Sequence, residues 1–299
     1  MITETITFEC LTPCFCAGAD QTQAEIRPSA IRGALRWWFR ALGGSHADEN
    51  AVFGGPDPIR SSALQIRVAN VIPRSGDNLP EVKGIQPLPY ILYFPSVSGK
   101  ESKTEGYGPR WNSNACLGPD TTFELQLRQT RKLTPGQTEH LQKVLLAFRH
   151  FGSIGMHITR ALGAIQDKRA TRESFGTAIT LIESHGFTYR EGSRQHKDWK
   201  SVLEEAGLWL QGDLRVEFGA GGVKKPLQAT ALGSASPRQT SAVYLRPIQI
   251  NNNLVFAAFE APHDKILGPI SKQKHSRPIL ETRDFTENLP ARKSPPGRR

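Results

Sequence analysis

The chain has 299 residues, 38% of them hydrophobic and 22% charged, with a formal net charge of +10. That length fits two domains better than one core or three, and no run of 18 or more apolar residues points to a membrane span. The opening MITETITFEC lacks a basic stretch followed by an apolar one, so a cytoplasmic location is expected. The positive charge implies a polyanionic partner, but it is unevenly placed. Residues 265–299 hold nine Lys/Arg against three Asp/Glu, which leaves +4 for the other 264 residues. An anion-binding surface on the folded body must therefore be local.

ETITFEC alternates Ile6, Phe8 and Cys10 with polar residues and reads as a strand. A polar loop, CAGADQTQAE, leads into a helix, RPSAIRGALRWWFRALGG. ALQIRVANV alternates Leu64, Ile66 and Val68 and reads as a second strand, and LPYILYF as a third. Residues 95–120 are polar and rich in Gly, Ser and Asn, an inserted loop. TTFELQLRQ is a further strand. Thr134 and Pro135 then open a helix whose buried face is Leu141, Val144, Leu145 and Phe148, with Gly152 as its stop. A glycine-punctuated segment follows, FGSIGMHITRALGAIQ. In the second half ESFGTAITLIESHG and DWKSVLEEAGLWL read as helices, and LRVEF, SAVYLRPIQI and LVFAAFE as strands. The order predicts an α+β fold of tandem ferredoxin-like (RRM-like) domains. The first covers 1–168 with the 95–120 insertion, and a smaller second one covers 169–264. A basic, Pro-rich tail, 265–299, has few large apolar residues and is expected to lack order of its own.

On a helical wheel Ile31, Leu35, Trp38 and Leu42 form the core face of the first helix. Arg32, Arg36 and Arg40 form a separate stripe about 100–180° away. Gly33 lies beside it, although glycine costs about 1 kcal/mol relative to alanine inside a helix. Close approach of a sugar-phosphate backbone is one reason to keep it. Arg27 precedes the helix, whose N-terminal amides favour anions, and Trp37 points away from the core centre, where it can stack on a base or a neighbour. The same pattern also describes an amphipathic helix whose arginines pair with acids elsewhere, and the wheel does not separate the two.

The glycine segment gathers Gly152, Gly155 and Gly163 with Arg149, His150, His157 and Arg160. Backbone amides of such loops can approach phosphate, but a helix cap and a tight turn explain the glycines as well. The segment follows a helix, so it is not a dinucleotide fingerprint, and no G-K-[ST] occurs. FGAGGVKK at 218–225 is read as a flexible turn with two lysines. Cys10, Cys14, Cys16 and Cys116 match no zinc spacing and are read as small buried thiols, so no metal and no cofactor is expected. No hydrolase or kinase signature is present. The candidates for chemistry are His157, as a general base in metal-independent RNA cleavage, and Asp20 in the polar loop, with Glu25 at its far end.

Thr12, Pro13, Gly18, Ala19, Asp20, Glu25, Arg27, Pro28, Ile31, Arg32, Gly33, Leu35, Arg36, Trp37, Trp38 and Arg40 follow a family block, TP…GGAD…E-[IL]-R-P-x-x-[IL]-[RK]-G-x-[LF]-R-[FW]-W-[WF]-R. With VFGG and the strand after it, this block resembles the RAMP superfamily of CRISPR effector proteins, and within it the first RAMP subunit of the type III-B (Cmr) complex. Residues 150–165 resemble the family's glycine-rich loop, and SPRQTSAVYLRPI a later segment. Ala17 stands where the family has a glycine. The resemblance implies a non-catalytic RNA-binding subunit that contacts the 3′ part of the guide RNA, the target RNA, and backbone and head-end RAMP subunits. It implies RNA contacts at Arg27, Arg32, Gly33, Arg36, Trp37, Arg40, Arg149, His150, Gly152, Gly155, His157 and Arg160. The alternative is a metal-independent RAMP endoribonuclease. The RNP1 pattern is absent, so recognition by base stacking on a sheet face is not expected.

Overall fold

The computed structural model describes residues 2–20, 22–75, 91, 116–218, 231–235, 238–267 and 278–286. They form two compact units of mixed helix and sheet. The first holds the described residues up to 75 together with 116–158 and 162–187; the second holds 91, 159–161 and those from 188 onward.

The first unit is organised by β1 (Thr3–Cys10), whose Ile6, Phe8 and Cys10 are fully buried as their alternation predicts. After the short β2 (Cys14–Phe15), helices α1 (Pro28–Ala41) and α2 (His46–Phe53) precede β3 (Leu64–Ile72). The short β4 (Cys116–Leu117) and the longer β5 (Thr122–Gln129) lead to α3 (Pro135–Phe151), then β6 (Ile165–Asp167) and α4 (Arg172–Ser184). β1 pairs antiparallel with β5 on one side and β6 on the other, giving the sheet order β3-β5-β1-β6. Leaving aside α2 and the short β2 and β4, β1 to β6 run strand–helix–strand–strand–helix–strand, with α1 and α3 packed on one another. The core lies between them and the sheet: Phe8 stacks on Phe123 and meets Phe148 edge-on, each at 5.5 Å.

Thr134 and Pro135 start α3 as expected. Thr134 Oγ accepts from Gln137 N at 3.2 Å, and Gln137 Oε1 accepts from Thr134 N at 3.1 Å, a complete capping box. Leu141, Val144, Leu145 and Phe148 are all buried. The boundary of the first unit falls after Phe187, so α4 belongs with it rather than opening a second unit at 169. Aromatic packing accounts for this: Phe187 stacks on Trp38 at 5.6 Å, and Phe175 meets Phe151 at 5.9 Å.

In the second unit β7 (Thr188–His196) is followed by α5 (Trp199–Leu208). LRVEF is not a strand. The helix continues as a π-helical turn, Trp209–Leu214, and then Arg215–Phe218, with Leu214 fully buried and Val216 55% exposed. SAVYLRPIQI forms β8 (Val243–Leu245) and β9 (Ile248–Ile250), interrupted at Pro247, which has no N–H to donate. Both lie along one edge of β10 (Asn253–Glu260), with β7 on the other. The described residues of this unit do not repeat the element order of the first.

Part of the tail departs from expectation. Ile279, Leu280 and Phe285 are buried, and Leu280 N donates to Glu260 Oε2 at 2.8 Å. Arg283 pairs with Asp213 and Glu217, and Arg190 Nε donates to the Arg283 carbonyl at 3.2 Å, so residues 278–286 are tied to the second unit. Of the strand expected over 88–94 only Ile91 is described, helical and buried. Most of the 95–120 insertion, most of 218–225, and the rest of the tail lie outside the described residues.

Replacing Phe148 by alanine is expected to cost about 3–5 kcal/mol, and Thr134→Ala only about 1 kcal/mol, as measured by urea denaturation of the full chain.

Candidate nucleic-acid interface

Helix α1 starts at Pro28 with no acidic residue in its first turn, and its N-cap, Arg27, makes no side-chain capping bond. Its first amides therefore lack a partner from the cap side chain. Ile31, Leu35, Trp38 and Leu42 are buried as the wheel predicts, and so is Phe39, which the wheel did not assign to the core. The opposite side carries Ser29, Ala30, Gly33 and Arg40, all exposed. A methyl group at Gly33 would meet nothing within 4 Å, so packing inside the protein does not demand the glycine. Arg27 is exposed and Arg32 half-buried, and neither forms an ion pair among the described residues.

The other two arginines of the stripe share one buried acid. Arg36 Nε and Arg40 Nη1 each lie 2.6 Å from the same oxygen, Glu49 Oε1, whose side chain is 1% exposed. Arg36 Nη1 also donates to the Gly54 carbonyl at 2.9 Å. Asn50 Nδ2 donates to the Asp57 carbonyl at 2.9 Å, so α1 and α2 together fix the small hairpin Gly55–Pro56/Ile59–Arg60. Arg36, expected from sequence as a phosphate contact, thus also has partners inside the protein. Trp37 is half-buried and meets Trp38 edge-on at 4.9 Å and Phe187 at 6.5 Å.

Between β1 and α1 the chain makes a narrow loop closed by the Ala17–Ala24 bridge, with Asp20 exposed near its tip. Asp20 Oδ1 accepts from Thr22 N at 2.8 Å and from Thr22 Oγ at 2.6 Å, which holds its carboxyl below the usual range. A carboxylate stabilised in its charged form is a weak proton acceptor near neutral pH.

The glycine segment lies along β2. Met156 N donates to the Phe15 carbonyl at 2.9 Å, and Gly163 N to the Pro13 carbonyl at 2.9 Å. Gly155 has φ +88°, and a Cβ there would stand 2.5 Å from the Phe15 carbonyl. At Gly152 a Cβ would collide with the Phe148 carbonyl. Backbone packing thus accounts for both glycines, the second of the two explanations open from sequence. His150 is 2% exposed, with its ring 4.6 Å from Phe175, so it cannot reach a ligand outside the fold. Arg149 pairs with Glu4 and lies 3.9 Å from Asp167. His157 is half-buried with φ +56°. Arg160 belongs to the second unit, bridged in parallel to Leu245.

The four cysteines, spread over about a hundred positions, converge around β2. Cys14 and Phe15 pair with Leu117 and Cys116, and the Cys14 thiol is hydrogen-bonded to those of Cys10 and Cys16. Those bonds and burial keep Cys14 protonated well above the usual thiol range, and burial pushes Cys116 up to about 12. Cys16 is lowered by the bond from Cys14 and by the Glu25 amide. No group of three or more His, Cys, Asp or Glu among the described residues is arranged to hold a metal. None of the described helices is long and apolar enough to cross a membrane.

A family model described as the RAMP superfamily matches residues 7–166, more than half of the chain. The chain belongs to the RAMP superfamily. This RAMP protein is 29% identical over 198 residues to the CRISPR system Cmr subunit Cmr1-1 of Pyrococcus furiosus, an alignment covering 61% of this chain and 51% of that protein. It is 43% identical over 42 residues to Cmr1-2 of the same organism, covering 14% and 22%. It thus spans about half or less of the length of the curated relatives it matches. In fold it resembles the crystal structure of Cmr1 from Pyrococcus furiosus, with TM-score 0.55, 17% identity, and 94% and 93% of the two chains covered. A chain of the type III-B Cmr-beta complex bound to cognate target RNA gives TM-score 0.55 at 11% identity, covering 91% and 96%.

Sequence reasoning missed Glu49 and the hairpin it helps to fix. The available signal was an acid-bearing helix, HADENAVF, directly after an arginine stripe that has no acid of its own.

In the native RAMP protein, Cys16 is expected to be the only cysteine alkylated rapidly by iodoacetamide. Because its acidity is raised, its rate should climb with pH below the range of an ordinary thiol. Peptide mapping by mass spectrometry checks both points, and Cys16→Ser should abolish the fast phase.

Proposed function

We propose that this chain is a Cmr1-like, non-catalytic RNA-binding subunit of a type III-B (Cmr) CRISPR complex. It contacts the 3′ part of the guide RNA and the incoming target RNA, beside backbone and head-end RAMP subunits in the cytoplasm. The first unit, with its β3-β5-β1-β6 order, is a ferredoxin-like domain in this reading. Membership of the complex is supported by the likeness to Cmr1-1 and to a chain of the Cmr-beta assembly.

The observation that carries RNA binding is the outer side of α1. An exposed lane of small residues, Ser29, Ala30 and Gly33, runs between Arg27, Arg32 and Arg40, beside the helix N-terminus. A phosphodiester backbone can lie close to such a lane, with guanidinium groups on either side. No base-specific pocket is needed, so binding is mainly electrostatic. The ribonuclease alternative rests on His157 as general base, because Asp20, hydrogen-bonded by Thr22, is a weak proton acceptor.

The double variant Arg27→Ala/Arg32→Ala removes two charges without breaking an ion pair among the described residues. Its affinity for single-stranded guide RNA should fall, and the slope of log K against log salt should flatten by about 0.7 for each phosphate that is no longer neutralised. Unchanged binding would overturn the reading. EDTA-resistant cleavage of labelled guide precursor by the wild type would favour the ribonuclease instead. Copurification of a tagged chain with RNA and other Cmr subunits tests its place in the complex.

A further inference from the structure

Two guanidinium groups share one buried carboxylate oxygen at Glu49, and the charges there do not cancel. Arg36 and Arg40 bring two positive charges against one negative. Among the described residues neither Arg36 nor Arg40 forms an ion pair with a second acid. A single arginine, Arg36, already gives the carboxylate its charged partner and ties it to Gly54. Arg40 is the surplus: its side chain is 47% exposed against 27% for Arg36, and its Nη1 holds Glu49 while nearly half of the side chain stays open to solvent on the outer side of α1. A fork of five donors anchored through one of them presents the others in a fixed direction.

We propose that Glu49 is a positioning residue: it fixes Arg40 so that the guanidinium's outward donors form a site for one phosphodiester on the outer side of α1. The inference rests on the RNA-binding reading above. It adds that affinity depends on a buried acid that touches no RNA, and that Arg36 serves the anchor rather than the ligand.

The sign of the effect separates this from simple charge. Glu49→Gln removes a negative charge near the interface, so electrostatics alone raises affinity for RNA. Loss of positioning lowers it. The full chain is titrated with a single-stranded RNA, while NMR of the guanidinium N–H groups in the free protein follows the order of Arg36 and Arg40. We expect Glu49→Gln to weaken binding about tenfold, the weight of one charge-assisted contact, with loss of slow exchange at Arg36 Nε–H and of restricted rotation at the Arg40 Nη groups, the atoms that hold Glu49. Glu49→Asp should restore part of each. Equal or tighter binding by Glu49→Gln overturns the proposal.

Arg40→Lys keeps the charge and leaves Arg36 on Glu49, so it tests the same point if Glu49→Gln does not fold. It should bind several-fold more weakly than wild type, because a lysine cannot hold Glu49 and a phosphate through one rigid fork. Wild-type affinity in Arg40→Lys also overturns the proposal. The two ideas fail differently: no salt-dependent RNA binding by the wild type removes the RNA reading, whereas binding that ignores Glu49 and Arg40 removes only this inference.

Discussion

A carboxylate with 1% exposure is costly to bury unless cationic or N–H donors lie directly against it. Glu49 imposes that condition on the first unit. It draws Arg36 and Arg40 out of what would otherwise be a solvated stripe and joins α1 to α2. Through Arg36 and the Gly54 carbonyl it also joins the base of the following hairpin. The placement of α1 is thus set from both sides, by Ile31, Leu35, Trp38 and Phe39 in the core and by a charge cluster at the rim. Small exposed residues lie between the two, where no internal contact requires them.

Periodicity made most of the first unit legible. The alternation in β1, β3 and β5 and the capped start of α3 are local signals, and local physics decided those elements. What stayed hidden depended on partners distant in sequence. The inward turn of Arg36 depends on an acid 13 residues later, and the burial of His150 on Phe175, in a helix that spacing alone did not assign to the first unit. LRVEF misled for a different reason. Five residues of mixed polarity fit a short strand and a helix extension equally well, and the burial of Leu214 at the end of the π-helical turn settled the matter.

The glycine segment shows how a functional-looking pattern can arise from packing. Side chains there would strike backbone carbonyls, that of Phe148 in α3 at Gly152 and that of Phe15 in β2 at Gly155. Cys14 contributes to the same closeness, with its thiol directed at the Ile154 carbonyl at 3.5 Å. What looked from sequence like scattered small thiols is a compact group holding the strand from which the Asp20 loop springs.

Chain order and spatial grouping disagree in one place. Residues 159–161 pair within the second unit, through Arg160 and Leu245, while the residues before and after them belong to the first. The backbone therefore crosses between units there and back before leaving again after Phe187. No single cut yields either unit whole. A fragment ended at residue 168 would keep every strand of the first sheet but lose Phe175 and Phe187, uncovering Trp38 and Phe151. Such a piece would present aromatic surface to water, so residues 169–187 complete the first unit as much as its strands do.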